Sequence, residues 1–216
     1  MYVPSCFQER DPRVLQGVVQ ANGFGLLVSV ENGLPHATHL PMLLDPDRGL
    51  HGTLFGHMAR ANSQWRSFDG ASPALAVFLG PHAYVSPRWY RGPRNVPTFD
   101  YVAVHARGAP RVIENREAVR DLLGRTMSFY ESRGPEPRRF DSIPVDYTEG
   151  LLASIVAFEL PIARIEGARK LSQNKEPIDR ARLAEGLHAS GDAMAARVAE
   201  LVQETLSTAP ALELVP

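Results

Sequence analysis

Only one cysteine, Cys6, occurs among the 216 residues. A disulfide within the chain is therefore impossible, and a zinc site built on cysteine pairs is excluded. A single thiol suits a reducing compartment. No stretch approaches the roughly 20 apolar residues that a membrane-spanning helix needs. Met1 to Ser5 has neither the basic segment nor the apolar run of a secretory signal. The formal net charge is −1, with no excess of basic residues to coat nucleic acid or an anionic membrane. Also absent are a G-x-S-x-G elbow, a Walker loop, a G-x-G-x-x-G fingerprint and an H-E-x-x-H pair, so serine hydrolase, P-loop, Rossmann and zincin chemistry lack their signatures. His36 and His39 are three apart, which on a strand puts them on opposite faces and prevents joint chelation. These absences predict a cytoplasmic protein with no membrane contact and no metal.

Hydrophobic residues make up 44% of the chain, enough for a real core. Asp11-Pro12 reads as a helix start, with Val14, Leu15, Val18 and Val19 as its apolar face and Gly23 as its stop. Phe24 to Val30 reads as a buried strand, and Asn32-Gly33 as a hairpin turn, because both residues tolerate positive φ. Leu34 to Leu40 returns. Gly49 to Phe55, Pro73 to Gly80, Tyr101 to Arg107 and Arg111 to Ile113 supply further strands, and Arg60 to Phe68 a short helical segment. Asn115 can cap a helix from Arg116 to about Glu131. Ser132 to Pro144 reads as a surface loop. Leu151 to Arg169 reads mostly as a long strand or bent strand pair, with Pro161 at an edge or bulge. Pro177 opens a C-terminal helical pair that breaks near Ser190-Gly191-Asp192, with Met194, Val198, Leu201, Val202 and Thr205 as the buried stripe of its last helix. Many short strands followed by helices predict an α+β protein built round a barrel. The division expected is a barrel domain over residues 1–175 and its helical extension over 176–216.

Four polar blocks interrupt the apolar strands: Thr38 to Pro41, Gly56 to Trp65, Gly80 to Tyr90, and Lys170 to Lys175. Each reads as the end of a strand, where a barrel rim would gather them. The second resembles an anion cradle, with a glycine for close approach, a helix start for free N–H groups and Arg60 for charge. Asn62 and Gln64 can equally be ordinary helix-end polar residues. The third lies in an acid-free stretch from Gly70 to Phe99 that carries Arg88, Arg91 and Arg94 beside Tyr84, Trp89 and Tyr90. That suits a phosphate next to a planar ring, and equally a solvated loop. In the fourth, Gln173 and Asn174 can both donate and accept along the edge of a heteroaromatic ring, or simply close a turn before Pro177.

Taken together, T-H-L-P, G-H-M-A-R-A-N-x-Q-W, G-P-H-A-Y-V-S-P-x-W-Y and K-L-S-Q-N resemble the signature stretches of the PaiB-type FMN-binding transcriptional regulators. Val96 to Tyr101 and Ile165 to Gly167 match as well, and the likeness runs from about Tyr2 to the last helix. The resemblance implies an FMN-binding split β-barrel with flanking helices and a C-terminal helical pair. It also implies a homodimer with FMN held between subunits. Carried over residue by residue, it points to His57, Ala59, Arg60 and Asn62 in the second block. It adds Tyr84, Ser86 and Trp89 in the third, Lys170, Ser172 and Gln173 in the fourth, and His39 lining the ring pocket. One departure stands out. Phe99-Asp100 occupies the place of a Trp-Asn pair, which puts a carboxylate where the family has a neutral amide.

The resemblance further implies negative transcriptional regulation, and hence DNA as a partner. The C-terminal pair is the only helix-turn-helix-like segment. Gly186 to Pro216 carries Arg197 against Asp192, Glu200, Glu204 and Glu213, a balance that repels phosphates. The Arg88 to Arg94 loop or the Arg133 to Arg139 loop suits DNA better. Two alternatives stand beside regulation. One is a flavin-dependent NAD(P)H oxidoreductase. The other is a haem-binding split barrel with His39, His57 or His105 as axial ligand.

Overall fold

The computed structural model describes residues 1–132 and 134–207. Arg133 and Glu213, both part of the charge patterns above, lie outside the described residues. Eight strands and five helices follow one another as β1 (Gln8–Glu9), α1 (Pro12–Ala21), β2 (Phe24–Glu31), β3 (Leu34–Asp45), β4 (Thr53–Ala59), β5 (Ala74–Val85), β6 (Thr98–Gly108), β7 (Arg111–Val112), α2 (Arg116–Glu131), α3 (Val145–Ser154), β8 (Ile155–Lys170), α4 (Pro177–Ala189) and α5 (Ala193–Ser207). The ladders β1–β8, β2–β3, β2–β5, β3–β4, β4–β8 and β7–β8 are antiparallel. The strand order is β1-β8-β4-β3-β2-β5-β6, with β7 on β8 and a further β8–β6 pairing that brings the ladder back to β8. Returning the ladder to its start removes the free edges that an open sheet would expose. The α+β split-barrel expectation is met.

Local chemistry explains most boundaries. Asn32 and Gly33 both take positive φ, 52° and 79°, in the two-residue turn that registers Glu31 opposite Leu34. Asp11 accepts a hydrogen bond from the Arg13 N–H at the start of α1, and Asn115 accepts one from the Ala118 N–H at the start of α2. Gly108 sits where a Cβ would come within 2.1 Å of the Pro161 carbonyl oxygen, so only glycine allows that strand crossing.

The chain forms two compact units. The first comprises Met1–Val18, Leu79–Val104 and Glu166–Pro216; the second comprises Val19–Phe78 and His105–Ile165. In the first, α4 and α5 bury Leu183, Leu187, Val198 and Val202 with Val85, Tyr90, Val102 and Leu171. In the second, α2 and α3 contribute Val119, Leu122 and Leu152 to a core with Leu43, Phe55 and Ala157.

Four expectations from the sequence need correction. Thr38 to Pro41 lies inside β3, and Gly80 to Val85 inside β5, rather than at strand ends. The strands expected to end at Leu40 and Gly80 run on through Pro41 and Pro81, because proline removes only one donor and is tolerated where no neighbour needs it. Leu151 to Ser154 closes helix α3 instead of opening a strand. Thr148 and Leu152 share a buried face there at i, i+4 spacing. Phe140–Ser142 within the expected loop forms a 3-10 turn. In α5 the buried stripe is Ala195, Val198, Ala199 and Val202, whereas Met194 is exposed.

Candidate functional site

The eleven candidate residues fall into two groups, one in each unit. In the second unit, His39 lies on the solvent side of β3 and stacks on Phe24, ring centroids 6.2 Å apart and 21° between planes. His57 is on β4 opposite Ala157. Its Nδ1 is buried and makes no hydrogen bond among the described residues. Burial holds its pKa below the ordinary imidazole value. Ala59 ends β4 opposite Ile155.

Arg60 and Asn62 are engaged locally. Arg60 donates from Nε to the Ala153 carbonyl at 2.9 Å and from an Nη to the Ile155 carbonyl at 2.8 Å, strapping the end of β4 to the junction of α3 and β8. Asn62 accepts from the Gln64 N–H at 3.0 Å and donates to Thr38 Oγ1 at 2.9 Å. Thr38 donates in turn to Gln64 Oε1 at 2.5 Å. The Gln64 amide N–H groups reach the Leu27 carbonyl at 3.1 Å, Ser29 Oγ at 3.2 Å and the His36 carbonyl at 3.3 Å. The buried amide is thus fully satisfied, the condition under which such a group can be tolerated in a core.

In the first unit, Tyr84 is half exposed and meets Phe99 edge-on, centroids 5.9 Å apart and 74° between planes. Ser86 caps the 3-10 turn Pro87–Trp89, its hydroxyl accepting from the Arg88 N–H at 3.4 Å. Trp89 lies against Gly186, where a Cβ would sit 2.4 Å from the indole nitrogen. Tyr84, Ser86, Arg88, Trp89, Leu187 and Ser190 line a cavity of about 380 Å³, within the range of small-molecule sites.

Lys170, Ser172 and Gln173 serve a buried network. Asp100 is 0% exposed. It accepts from Ser172 Oγ at 2.7 Å and pairs with Lys170 Nζ at 3.4 Å. Lys170 also donates to Thr98 Oγ1 at 2.8 Å and to the Phe99 carbonyl. Tyr90 shares a 3.0 Å hydrogen bond with Ser172. Burial pushes the Asp100 carboxyl above the ordinary carboxylate range, outweighing the Ser172 hydrogen bond and the Lys170 charge. Burial likewise raises the Tyr90 phenol. Gln173 accepts from the Leu171 N–H at 2.8 Å and donates to the Arg169 carbonyl, closing the turn in which Ser172 takes φ of 56°.

Thr38, Gln64 and Asp100 are the organising residues that motif reading passed over or misjudged. Asp100 shares strand parity with the buried Val102, Val104 and Ala106, and that parity alone would have placed its carboxylate inward.

The family described as "Putative FMN-binding domain" matches residues 1–164. The protein named "Protease synthase and sporulation protein PAI 2" from Bacillus subtilis is 35% identical over 206 residues, covering 95% of this chain and 98% of that protein. The chain belongs to the PaiB-type FMN-binding family. An uncharacterised protein of Emericella nidulans is 27% identical over 248 residues, covering 94% of this chain and 97% of that one. Among solved structures, the FAD and haem binding protein from Mycobacterium smegmatis superposes with a TM-score of 0.60 at 18% identity, covering 76% of this chain and 73% of that one. The flavocytochrome Anf3 from Azotobacter vinelandii gives 0.56 at 12%, covering 78% and 72%. At those identities the likeness shows the fold.

FMN is the cofactor that family membership assigns. The residues present fit it. The buried Nδ1 of His57 lacks a partner among the described residues. The His39 ring, the Tyr84 hydroxyl and the Trp89 indole N–H form no hydrogen bond among them either. A flavin would supply redox capacity and a ring edge with donors and acceptors, and each unit by itself offers side chains that can meet such an edge.

Proposed function

We propose that this protein is an FMN-binding regulatory protein that acts as a cytoplasmic homodimer and represses transcription, as its PaiB-type membership suggests. The observation that carries the flavin assignment is a division among the candidates. Arg60, Asn62, Lys170, Ser172 and Gln173 have their polar atoms engaged within the fold. His39, His57, Tyr84, Ser86 and Trp89 keep a donor or acceptor uncommitted. The first set is framework, and within each unit taken by itself the second set is left available to a flavin.

The dimer reading rests on an apolar sheet face in the second unit. Phe24, Leu26, Val28 and Val30 alternate outward along β2. Leu26 and Val28 register opposite Val77 and Leu75 on β5, and opposite His39 and Ala37 on β3. A contiguous apolar face of this kind marks an interface. No described helix is long and apolar enough to cross a membrane.

Purified protein scanned over about 350 to 500 nm, then titrated with FMN, tests the flavin reading. His57→Leu, Tyr84→Ala and Trp89→Phe should each weaken FMN binding about tenfold or more, one hydrogen bond or ring contact being worth about 1.4 kcal/mol. A haem Soret band in place of a flavin spectrum, or FMN affinity indifferent to all three changes, would refute it. Light scattering on wild type and Val28→Asp should give a dimer and a monomer.

A further inference from the structure

Many of the described arginines are neutralised inside the fold. Arg48 and Arg111 pair with the buried Glu159. Arg116 and Arg120 both pair with Glu149. Arg139 pairs with Asp141, Arg169 with Glu9 and Glu204, and Arg197 with Glu200. The acid-free stretch from Gly70 to Phe99 breaks this pattern. There the guanidinium groups of Arg88 and Arg94 have neither an ion pair nor a hydrogen bond among the described residues.

The segment that carries them is built rather than loose. The Arg91 N–H and Nε both donate to Asp179 Oδ1, at 3.0 and 3.2 Å. Asn95 donates to the Arg91 carbonyl at 3.0 Å and to the Gly92 carbonyl at 3.3 Å. Lys175 donates to Asn95 Oδ1 at 2.9 Å, with its ammonium 4.7 Å from the Tyr90 ring centroid. The loop is therefore tied at Tyr90, Arg91 and Asn95 to the approach and first turn of α4, while Arg88 and Arg94 keep their charges free. Lys175 adds a third cation where the loop meets the approach to α4. By contrast, α5 carries Glu200 and Glu204 against an Arg197 already paired, so it offers phosphates no free positive charge.

We infer that the Arg88–Arg94 loop is the surface through which this protein contacts the phosphate backbone of duplex DNA. The inference rests on the regulatory reading above and names the part of the molecule that performs it. Unpaired guanidiniums on a tied backbone suit phosphate oxygens because their planar forks donate two hydrogen bonds at once. The tied backbone spares the entropy loss of ordering a flexible arm. Such contacts carry affinity and register without reading bases, so a duplex of arbitrary sequence is a sufficient probe.

The test is fluorescence anisotropy of a short labelled duplex with the full chain, over a salt series from about 50 to 200 mM. Wild type, Arg94→Glu, Arg88→Ala/Arg94→Ala and Arg138→Ala are compared, with thermal melts to verify folding. Arg138 is the right comparison because its side chain is unpaired too, on the other basic loop. The double variant should bind about tenfold or more weakly. Its slope of log affinity against log salt should flatten by about 0.9 for each phosphate that it no longer neutralises. Arg138→Ala should match wild type. Equal binding and slope for wild type and double variant would overturn the assignment, as would loss of binding in Arg138→Ala alone. So would loss of phosphatidylserine-vesicle binding, rather than duplex binding, in the double variant. Absence of duplex binding by wild type would overturn the regulatory reading along with the surface. FMN titration of Arg94→Glu keeps the flavin assignment separable, because Arg94 lines no candidate flavin group.

Discussion

Asparagine at position 100 would restore the amide that the family pattern carries, and its effect on stability can be worked out from the network round Asp100. The carboxylate accepts from Ser172 at 2.7 Å and faces Lys170 at 3.4 Å. Asp100→Ala removes both partners and leaves a cavity. Breaking a buried ion pair from one side costs about 3–5 kcal/mol. Lys170 is 23% exposed and keeps Thr98 and the Phe99 carbonyl as partners, so the lower end, about 3 kcal/mol, is expected. Asp100→Asn keeps an oxygen for Ser172 and removes the buried charge, so its net cost should stay within about 1 kcal/mol. The pH dependence fixes the sign. The folded carboxyl titrates above its ordinary value, with burial as the leading cause. The native state therefore holds its proton longer than the unfolded chain, and stability falls as pH rises from the ordinary carboxylate range through the folded value. Asp100→Asn has no such group and should gain on wild type across that window. Urea unfolding of both proteins from about pH 4 to pH 8 measures this. If wild type instead gained on the asparagine variant as pH rose, Lys170 would outweigh burial and the reasoning would fail.

Two further outcomes follow from the second unit. Gln64→Leu removes the acceptor of the Thr38 hydroxyl and the amide donor to the Leu27 and His36 carbonyls, though Thr38 still accepts from Asn62, and should cost about 2 kcal/mol in urea unfolding, since a lost buried partner costs about 1–3 kcal/mol; a cost under about 0.5 kcal/mol would show that the amide network is dispensable. The His57 imidazole, held neutral by burial, should protonate in an NMR titration below the ordinary histidine range, so that stability is lost as pH falls through that range. His57→Gln should remove that acid-side loss, whereas a His57 titrating at or above the ordinary value would contradict its placement.

Signals carried within a few residues were legible in the sequence. Asn115 announces α2, Asn32-Gly33 announces the β2–β3 turn, and Pro177 announces α4, because a cap, a positive-φ pair and a fixed φ act locally. Boundaries that depend on neighbours were not. Whether Pro41 and Pro81 end a strand is decided by which adjacent strand needs their missing donor. Likewise, the inward turn of Asp100 is visible in strand parity, but its partners Lys170 and Ser172 lie 70 and 72 residues away. The motifs drew attention to the right stretches. They could not separate side chains left free for a ligand from side chains that hold the stretch in place, since both leave the same letters in the sequence.

That separation changes how the motif residues should be weighed. Gln64 touches strands β2 and β3 at positions up to 37 residues away, and Lys170 binds the start of β6 from the end of β8. Losing either disturbs the backbone that presents His39 or Tyr84, so a variant at a framework residue can lose flavin without having touched it. Substitutions at Gln64, Lys170 or Gln173 should lower stability and FMN affinity together. Substitutions at His57, Tyr84 or Trp89 should lower affinity with the smaller stability change expected of partly exposed groups. Paired melts and flavin titrations over both sets resolve the two roles. A framework variant that kept full stability while losing flavin would move that residue into direct contact with the cofactor.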